Sequence, residues 1–470
     1  MEYDIRSSSS LIHFSFLLFF LIQTTTTTTA EEDLRRAQPT KGHSIRILSL
    51  VHENSTPPAI RQAAAIHFKN LVKQKWDDET YTELQAEKPT LRTHVVDCMC
   101  TVPPQLQVLL SEAIRCMAEL DYPQQWPTLI PELVAKVQQN TQNLPVLLGL
   151  LRTAHAIFKC FRYVERSDAL YTKLKYTLEH FQEPLLRLYH GISQEIHTLG
   201  PQNDASQLQP RLEALRLMTR IIFSLNYQDL PEFFEDHMET WMQELAQYLE
   251  YKVPPCLVDA DEENEPSVVD QLQAAIIQVL DLYSSKDEEP FLPFLPKCTK
   301  LIWNLLMTVT NQPKHDELAT QAILFLKCLV DKPFHRALFE AKETLQQIVE
   351  SIVLPNLLFR EADQEMFEDN PQEYMLIETQ GDSKETSRRR CALDLLQAMC
   401  RQFCDQTVAI VVQHVQTLLQ GYAATPDAQW AQKDVAVCIV VSCRVALLIV
   451  VDEIMCSHRL AFSTTQHRST

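Results

Sequence analysis

The sequence predicts an all-α protein, a HEAT-repeat α–α superhelix of the solenoid class. Three observations predict it. Only 6 of the 470 residues are glycine, which disfavours folds that need many tight hairpin turns. Apolar residues recur at helical spacing in runs that end at proline-bearing or acidic turns. These runs return about every 40–70 residues, and helix pairs of this kind must stack to bury their apolar faces.

The repeating runs fall into two classes. The first class is rich in small residues, and its runs begin at Arg61, Leu106, Leu147, Leu212, Ala274, Thr320, Arg389 and Asp434. The second class is bulkier, and its runs begin at Pro127, Pro231, Pro293, Leu345 and Val408. Proline at the first turn of a helix costs little, because that N–H has no helical partner. We expect each repeat to be a first-class helix followed by a second-class helix.

Composition and motifs exclude several function classes. The chain carries 42 basic and 61 acidic residues, a net charge of −19, so nucleic acid is a poor partner and basic partners are favoured. No two glycines are closer than nine residues, which excludes nucleotide-binding glycine loops. The zinc-protease, nucleophile-elbow and calcium-loop motifs are missing from the sequence. We therefore predict no enzyme activity and no cofactor.

The cysteines give no sign of a disulfide framework. There are 13, with irregular spacing and no C-x-x-C pair, so we expect reduced thiols that pack on helix faces. Cys400 and Cys404, four residues apart, and His414 form the one combination that resembles a metal site. Core packing is the favoured interpretation, and we predict no metal.

Both ends of the chain differ from the middle. Residues 11–22 are apolar and six threonines follow, but twelve residues are too few to span a bilayer. A signal peptide remains an alternative, and a secreted chain would offer a glycosylation sequon at Asn54. Residues 435–451 are apolar but contain Arg444, so we expect a buried helix and no stable membrane insertion. Residues 1–30 are an atypical N-terminus and residues 443–470 a divergent tail.

Three consecutive arginines, Arg388, Arg389 and Arg390, stand at a predicted loop–helix junction after Gly381. Arginine pairs with carboxylates and phosphates through two parallel N–H donors. The run predicts either a clamp for an acidic partner or a solvated helix start, and the sequence does not separate the two.

Several segments resemble the importin-β (karyopherin) family, over about residues 31–442. The resemblance lies in residues 60–76, 120–129, 150–162, 223–242 and 359–374. Its most characteristic residues are Asn226, Asp229, Pro231, Phe233, Phe234, Asp236 and Trp241. Residues 31–105 resemble the N-terminal repeats of the family. Residues 106–442 resemble the HEAT repeats of its export receptors that return importin-α to the cytoplasm.

The resemblance implies a transport receptor without catalytic activity, present in the nucleus, the cytoplasm and the nuclear pore. Such a receptor binds importin-α together with the GTP form of Ran, contacts nuclear pore proteins and releases its load after GTP hydrolysis. The implied Ran-binding residues are Lys69, Asn70, Lys73, Trp76, Asp121 and Trp126. The implied loop that couples Ran to cargo spans residues 381–390 and includes Arg388, Arg389 and Arg390. A HEAT scaffold that ignores Ran is the alternative.

The sequence also departs from the family. Family members are about twice as long, and the first helix of the first repeat is replaced by the apolar and threonine-rich stretch. An incomplete first repeat exposes apolar surface, so we expect this chain to be poorly soluble.

Overall fold

The structure, a computed structural model, describes residues 41–200, 204–257, 265–286, 288–379, 386–425 and 429–443. Every regular element in these ranges is a helix, which confirms the predicted all-α class. The chain divides into two compact units, residues 1–236 and 237–470. The predictions for residues 1–30 and for nearly all of 443–470 fall on residues outside the described ranges.

Several helices of unit 1 begin at residues that fit a helix start. Its helices are α1 (His43–His52), α2 (Pro58–Lys75), α3 (Thr82–Thr101), α4 (Pro104–Asp121), α5 (Leu129–Gln139), α6 (Leu144–Cys160), α7 (Asp168–Leu199), α8 (Ala205–Asn226) and α9 (Glu232–Asp236). Proline occupies the first turn of α2, α4 and α6, where its missing N–H is harmless. The Ser167 hydroxyl caps α7 by accepting from the Leu170 N–H at 3.3 Å.

Two layers of helices make up unit 1. The small-residue helices α2, α4, α6 and α8 pack successively side by side, while α1 packs on α3 and α5 on α7. Gly149 on α6 shows why small residues are needed, because a Cβ there would lie 2.5 Å from Oε1 of Gln107 on α4. Ser111 and Thr153 satisfy each other across the same contact at 2.7 Å. Close approach and the Ser111–Thr153 hydrogen bond therefore occur at the same contact.

Unit 2 repeats this arrangement. Its helices are α10 (Met238–Leu249), α11 (Val268–Lys286), α12 (Glu288–Phe291), α13 (Leu295–Leu306), α14 (Asp316–Asp331), α15 (Lys342–Ile348), α16 (Leu354–Leu357), α17 (Glu361–Asp369), α18 (Pro371–Thr379), α19 (Arg388–Gln402), α20 (Cys404–Ala424) and α21 (Trp430–Ser442). One turn of π-helix, Val349–Val353, joins α15 to α16. The small-residue helices α11, α14, α19 and α21 pack successively, and α10, α13 and α20 pack against them.

The order of helices within a repeat stays a prediction. Among the bulkier helices, α20 packs more extensively on α21, which follows it, than on α19, whereas α13 packs on both α11 and α14. The sequence pattern alternates, so it fixes the two classes but not where one repeat ends. The pattern also missed α7, which carries an internal proline, Pro184.

One described segment, Leu144–Tyr163, is long and apolar enough to cross a membrane, and 56% of its most apolar stretch is buried inside the protein. Core helices meet the same criterion, because they too are long and apolar. The absence of stable membrane insertion stays a prediction.

Candidate functional site

The segment with the strongest family resemblance forms one wall of a cavity in unit 1. The cavity has a volume of about 600 Å³ and lies between α7 and residues 225–236. Leu174 and Leu178 of α7 line one side, and Leu225 and Leu230 line the other. Of the family signature, Asp229, Pro231, Phe233 and Asp236 line it. The site is an apolar hollow of the size of a small ligand or a few side chains.

Carboxylates surround this cavity. Glu179, Asp229, Glu232 and Asp236 are exposed at its lining, together with Lys175. Asp229 is fixed in place, because it accepts from the Tyr171 hydroxyl and its Oδ1 lies 3.3 Å from the Arg166 Nη2. The bond to Asp229 raises the pKa of Tyr171. The arrangement offers an apolar contact with an acidic margin.

The remaining signature residues are buried and do not line the cavity. Asn226 is buried and its Nδ2 donates to the Ile222 carbonyl at 2.8 Å. Phe234 is buried at 5.8 Å from the Phe233 ring, between ring centres. Trp241 is buried inside unit 2, in α10. These three side chains are core residues, so the resemblance there reflects the fold.

Three of the six residues proposed for Ran binding are buried. Trp76 and Trp126 are 1% and 2% exposed, and Asp121 is 2% exposed. The Trp76 Nε1 donates to Asp121 Oδ2 at 2.9 Å, and Arg92 Nε donates to the same oxygen at 2.8 Å. The Lys88 Nζ lies 4.9 Å from the Trp76 ring. Side chains buried in this way are not exposed for direct contact in this structure, and the Trp76–Asp121 bond joins the end of α2 to the end of α4.

The other three lie on the surface. Asn70 and Lys73 are exposed and Lys69 is half-buried, all on α2. Ile66, also exposed, extends this face by one turn. The pKa of Glu112 on α4 is lowered, chiefly because Arg115 donates to it, and Lys73 and Lys69 act in the same direction. We call this surface the α2 face; it combines cations with an exposed aliphatic side chain.

The arginine run has internal partners. Arg388 is 5% exposed, and its Nη1 donates to the Thr310 carbonyl at 3.0 Å and lies 3.3 Å from Asp316 Oδ1. Arg389 is 8% exposed and pairs with Asp434. Arg390 pairs with Asp394 at 3.1 Å, one turn along α19. The interpretation as a free clamp is wrong for Arg388 and Arg389, because these charges are already neutralised inside unit 2.

Asp316 pairs with a second arginine besides Arg388. Arg360 donates to both oxygens of Asp316, at 2.7 and 3.0 Å, and to Asp363. Ser387 caps α19 by accepting from the Arg390 N–H at 2.9 Å. The cluster joins α14, α17 and α19. Residues 381–385 of the proposed coupling loop lie outside the described ranges.

The residues that resembled a metal site, Cys400, Cys404 and His414, do not form one: Cys400 and His414 have different partners. Cys400 is buried with its Sγ 3.4 Å from the Cys443 Sγ, and His414 Nε2 lies 3.3 Å from Glu350 Oε1. Among the described residues, no group of three or more His, Cys, Asp or Glu could hold a metal ion.

Sequence reasoning missed the α7 side of the cavity. Leu170, Leu174 and Leu178 recur every four residues, and Phe181 and Leu185 continue the apolar stripe. That spacing was available as a signal for α7. It could not show that the stripe faces residues 225–236, which is a tertiary contact.

Comparison with known proteins supports the same fold. The Cse1 family model matches residues 157–449, and the importin-beta N-terminal domain matches residues 30–101. Exportin-2 of Homo sapiens and of Mus musculus are each 36% identical over 412 residues, which is 87% of this chain and 42% of theirs. This chain therefore spans less than half the length of the curated relatives it matches.

Solved structures give the same picture. The exportin Cse1 in its cargo-free, cytoplasmic state superimposes with a TM-score of 0.85 at 30% identity, over 92% of this chain and 46% of that one. Yeast importin-beta (Kap95p) matches with a TM-score of 0.56 at 16% identity, over 92% of this chain and 46% of that one, which shows the fold alone. Another structure of Kap95p contains RanGDP, and a further one is the Kap95:Nup1 complex.

The predicted solenoid is thus confirmed. The Cse1 model covers residues 157–449, more than half of the 470, and the N-terminal match precedes it without overlap. Together with the superposition on Cse1, these matches place the chain: it belongs to the Cse1 family of nuclear transport receptors.

Proposed function

We propose that this chain takes part in the export of importin-α from the nucleus to the cytoplasm, in a complex that needs the GTP form of Ran. The observation that carries the proposal is the superposition on the exportin Cse1 over 92% of this chain, at 30% identity. The work is done by binding and release, with no catalysis by this chain. The receptor moves between nucleus and cytoplasm through the pore.

The α2 face is the proposed contact for Ran. Lys69, Asn70 and Lys73 lie in the part of the chain that matches the importin-beta N-terminal domain. They are accessible on α2, unlike Trp76, Asp121 and Trp126. Trp76 and its partners act indirectly, because they hold α2 on α4 and so fix where the cations stand.

The cavity between α7 and residues 225–236 is the proposed contact for nuclear pore proteins. Its lining by Leu174, Leu178 and Phe233 suits an apolar side chain of a partner segment. The surrounding carboxylates disfavour acidic segments. The GTP form of Ran and importin-α are the other proposed partners, and none of these contacts needs a cofactor or metal.

A pull-down with the full chain tests the proposal. The chain is immobilised and offered importin-α with Ran loaded either with a GTP analogue or with GDP. We expect importin-α to be retained only with the GTP analogue. Retention of Ran without importin-α would limit the function of this chain to Ran binding. No retention of Ran by a helical, folded chain would overturn the proposal and favour a HEAT scaffold that ignores Ran.

A paired variant shows whether the proposed face is used. Lys73→Glu reverses a charge on the α2 face, and Lys300→Glu reverses one on α13 of unit 2. We expect the first to reduce Ran retention and the second to leave it unchanged, because electrostatic contacts act mainly over short distances in salt. Equal effects would mean that Ran binds elsewhere.

A further inference from the structure

We propose that the surface shared by α6 and α8 is a docking site for an acidic segment of a partner protein. The inference stands apart from the proposed Ran contact on α2 and does not depend on it. The site consists of five cationic side chains, which we call the α6–α8 basic patch: Arg152, Lys159, Arg162, Arg216 and Arg220.

These cations share one surface. Arg152 and Lys159 are seven residues apart on α6, two turns along one face, and Arg216 and Arg220 are four apart on α8. Helices α6 and α8 pack side by side, which brings the two rows together. The patch is therefore continuous across two neighbouring helices.

Arg162 connects the two rows. It follows α6 directly, and its Nε donates to the Ser224 Oγ at 3.0 Å while its Nη2 donates to the Arg220 carbonyl at 3.1 Å. Its guanidinium lies 4.5 Å from the Phe223 ring. The guanidinium is thus held in place by α8 before any partner arrives, which reduces the entropy cost of binding.

One carboxylate, Glu213, lies within the patch. Glu213 lies 2.6 Å from Arg216 Nε and 3.5 Å from Arg152 Nη2, so one carboxylate is shared by two guanidinium groups. Lys159 is exposed.

A histidine inside the patch reports its electrostatic field. The pKa of His155 is lowered to about 3, chiefly by burial, and Arg220, Arg162, Lys159 and Arg216 contribute to this lowering. Four of the five patch cations therefore stand close enough to this imidazole to disfavour a further positive charge. The local potential is positive although the whole chain carries −19.

An acidic protein segment fits this surface better than a nucleic acid. Guanidinium groups pair with carboxylates through two parallel N–H donors, which suits aspartate and glutamate side chains. A phosphate backbone would extend past the patch and meet the excess negative charge of the rest of the chain. A short acidic segment can stay within the patch.

Fluorescence anisotropy with the full chain tests this site. The probe is a labelled peptide of about ten residues, long enough at about 3.3 Å per residue to cross both helices, made of Glu, Asp and Gly. A Ser–Gly peptide of the same length is the neutral control, and a single-stranded oligonucleotide of similar charge tests the other polyanion. We expect the acidic peptide alone to bind, and to bind more weakly as salt rises.

The variant Lys159→Glu localises the binding. Lys159 is exposed, so its replacement leaves the fold intact, and we expect about a tenfold loss of affinity at low salt. The matched control is Lys300→Glu, an exposed lysine on α13 of unit 2, with less than about a twofold change. Circular dichroism checks that both variants remain helical.

Three results would overturn the site. These are equal losses in the two variants, equal binding of the neutral peptide, and tighter binding of the oligonucleotide than of the acidic peptide. The first would place the peptide elsewhere, the second would remove the charge argument, and the third would make the patch a nucleic-acid contact.

Discussion

Two helices carry cations that the sequence marked as functional, and the structure treats them in opposite ways. On α2, Lys73 is exposed and Lys69 half-buried. At the start of α19, Arg388 and Arg389 are buried against carboxylates and a carbonyl of their own unit. The same kind of residue is therefore available to a partner in one helix and structural in the other.

The difference lies in the neighbours. Next to α2, Arg115 pairs with Glu112 and Glu119 of its own helix, and within the described residues Lys73 forms no ion pair with a carboxylate. Beside α19, Asp316 at the start of α14 pairs with Arg388, and Asp434 on α21 pairs with Arg389. A buried arginine is tolerated only when such partners are in place. Local sequence composition thus does not distinguish a binding cation from a structural one.

The largest expected effect is on the aromatic support of α2. Trp76→Ala removes a side chain that is 1% exposed and leaves Asp121 without its indole donor. We expect a loss of about 4 kcal/mol in unfolding free energy. Denaturant unfolding followed by circular dichroism measures it, with Lys73→Ala as the control. A loss below about 1 kcal/mol would show that Trp76 is not part of the core.

The second-largest loss of unfolding free energy is expected from removing Arg388 from the arginine cluster of unit 2. Arg388→Ala leaves the Thr310 carbonyl without two donors, and it removes a pair with Asp316 that Arg360 only partly replaces. We expect a loss of about 3 kcal/mol in the same measurement. Arg390→Ala, whose ion pair is more exposed, should cost about 0.5 kcal/mol. Equal effects would mean that Arg388 is not buried in solution.

Acid should destabilise unit 1 through its buried histidines. Burial lowers the pKa of His43 and of His155 to about 3, while an unfolded histidine titrates near 6.5. Below pH 6.5 the unfolded chain gains protons that the folded unit cannot accept, so stability falls as pH falls from 6.5 towards 3. We expect a loss of about 2 kcal/mol per histidine at pH 5.

Unfolding midpoints between pH 7 and pH 5 measure this effect. His155→Leu should weaken the pH dependence, whereas replacing the exposed His52 by glutamine should not change it. An unchanged slope in His155→Leu would contradict a neutral, buried His155.

The smallest effect is on binding alone. Lys73→Glu should leave the unfolding free energy unchanged within about 0.5 kcal/mol, because the residue is exposed. We expect it to weaken capture of Ran about tenfold at low salt. Titration of the chain with Ran loaded with a GTP analogue measures the change. Unchanged affinity would remove the α2 face from the proposed Ran contact.

Much of the fold could be predicted from the sequence. The helical spacing of apolar residues and the near absence of glycine predicted the helices, and the small-residue class predicted which of them pack closely, as Gly149 against Gln107 shows. The sequence singled out Asp229, Pro231, Phe233 and Asp236 as family signature residues but did not predict a cavity. That they line one, with α7 on its other side, depends on packing between distant segments.

The sequence by itself determined the fold class, the two kinds of helix and membership of the Cse1 family, because periodicity and family motifs are local properties of the chain. Only the tertiary structure decided which charged and aromatic side chains face solvent. Arg388 meets Thr310 across 78 residues, and Arg389 meets Asp434 across 45. Burial of a charge depends on partners brought together by packing, and their distance along the chain hides them from any local pattern.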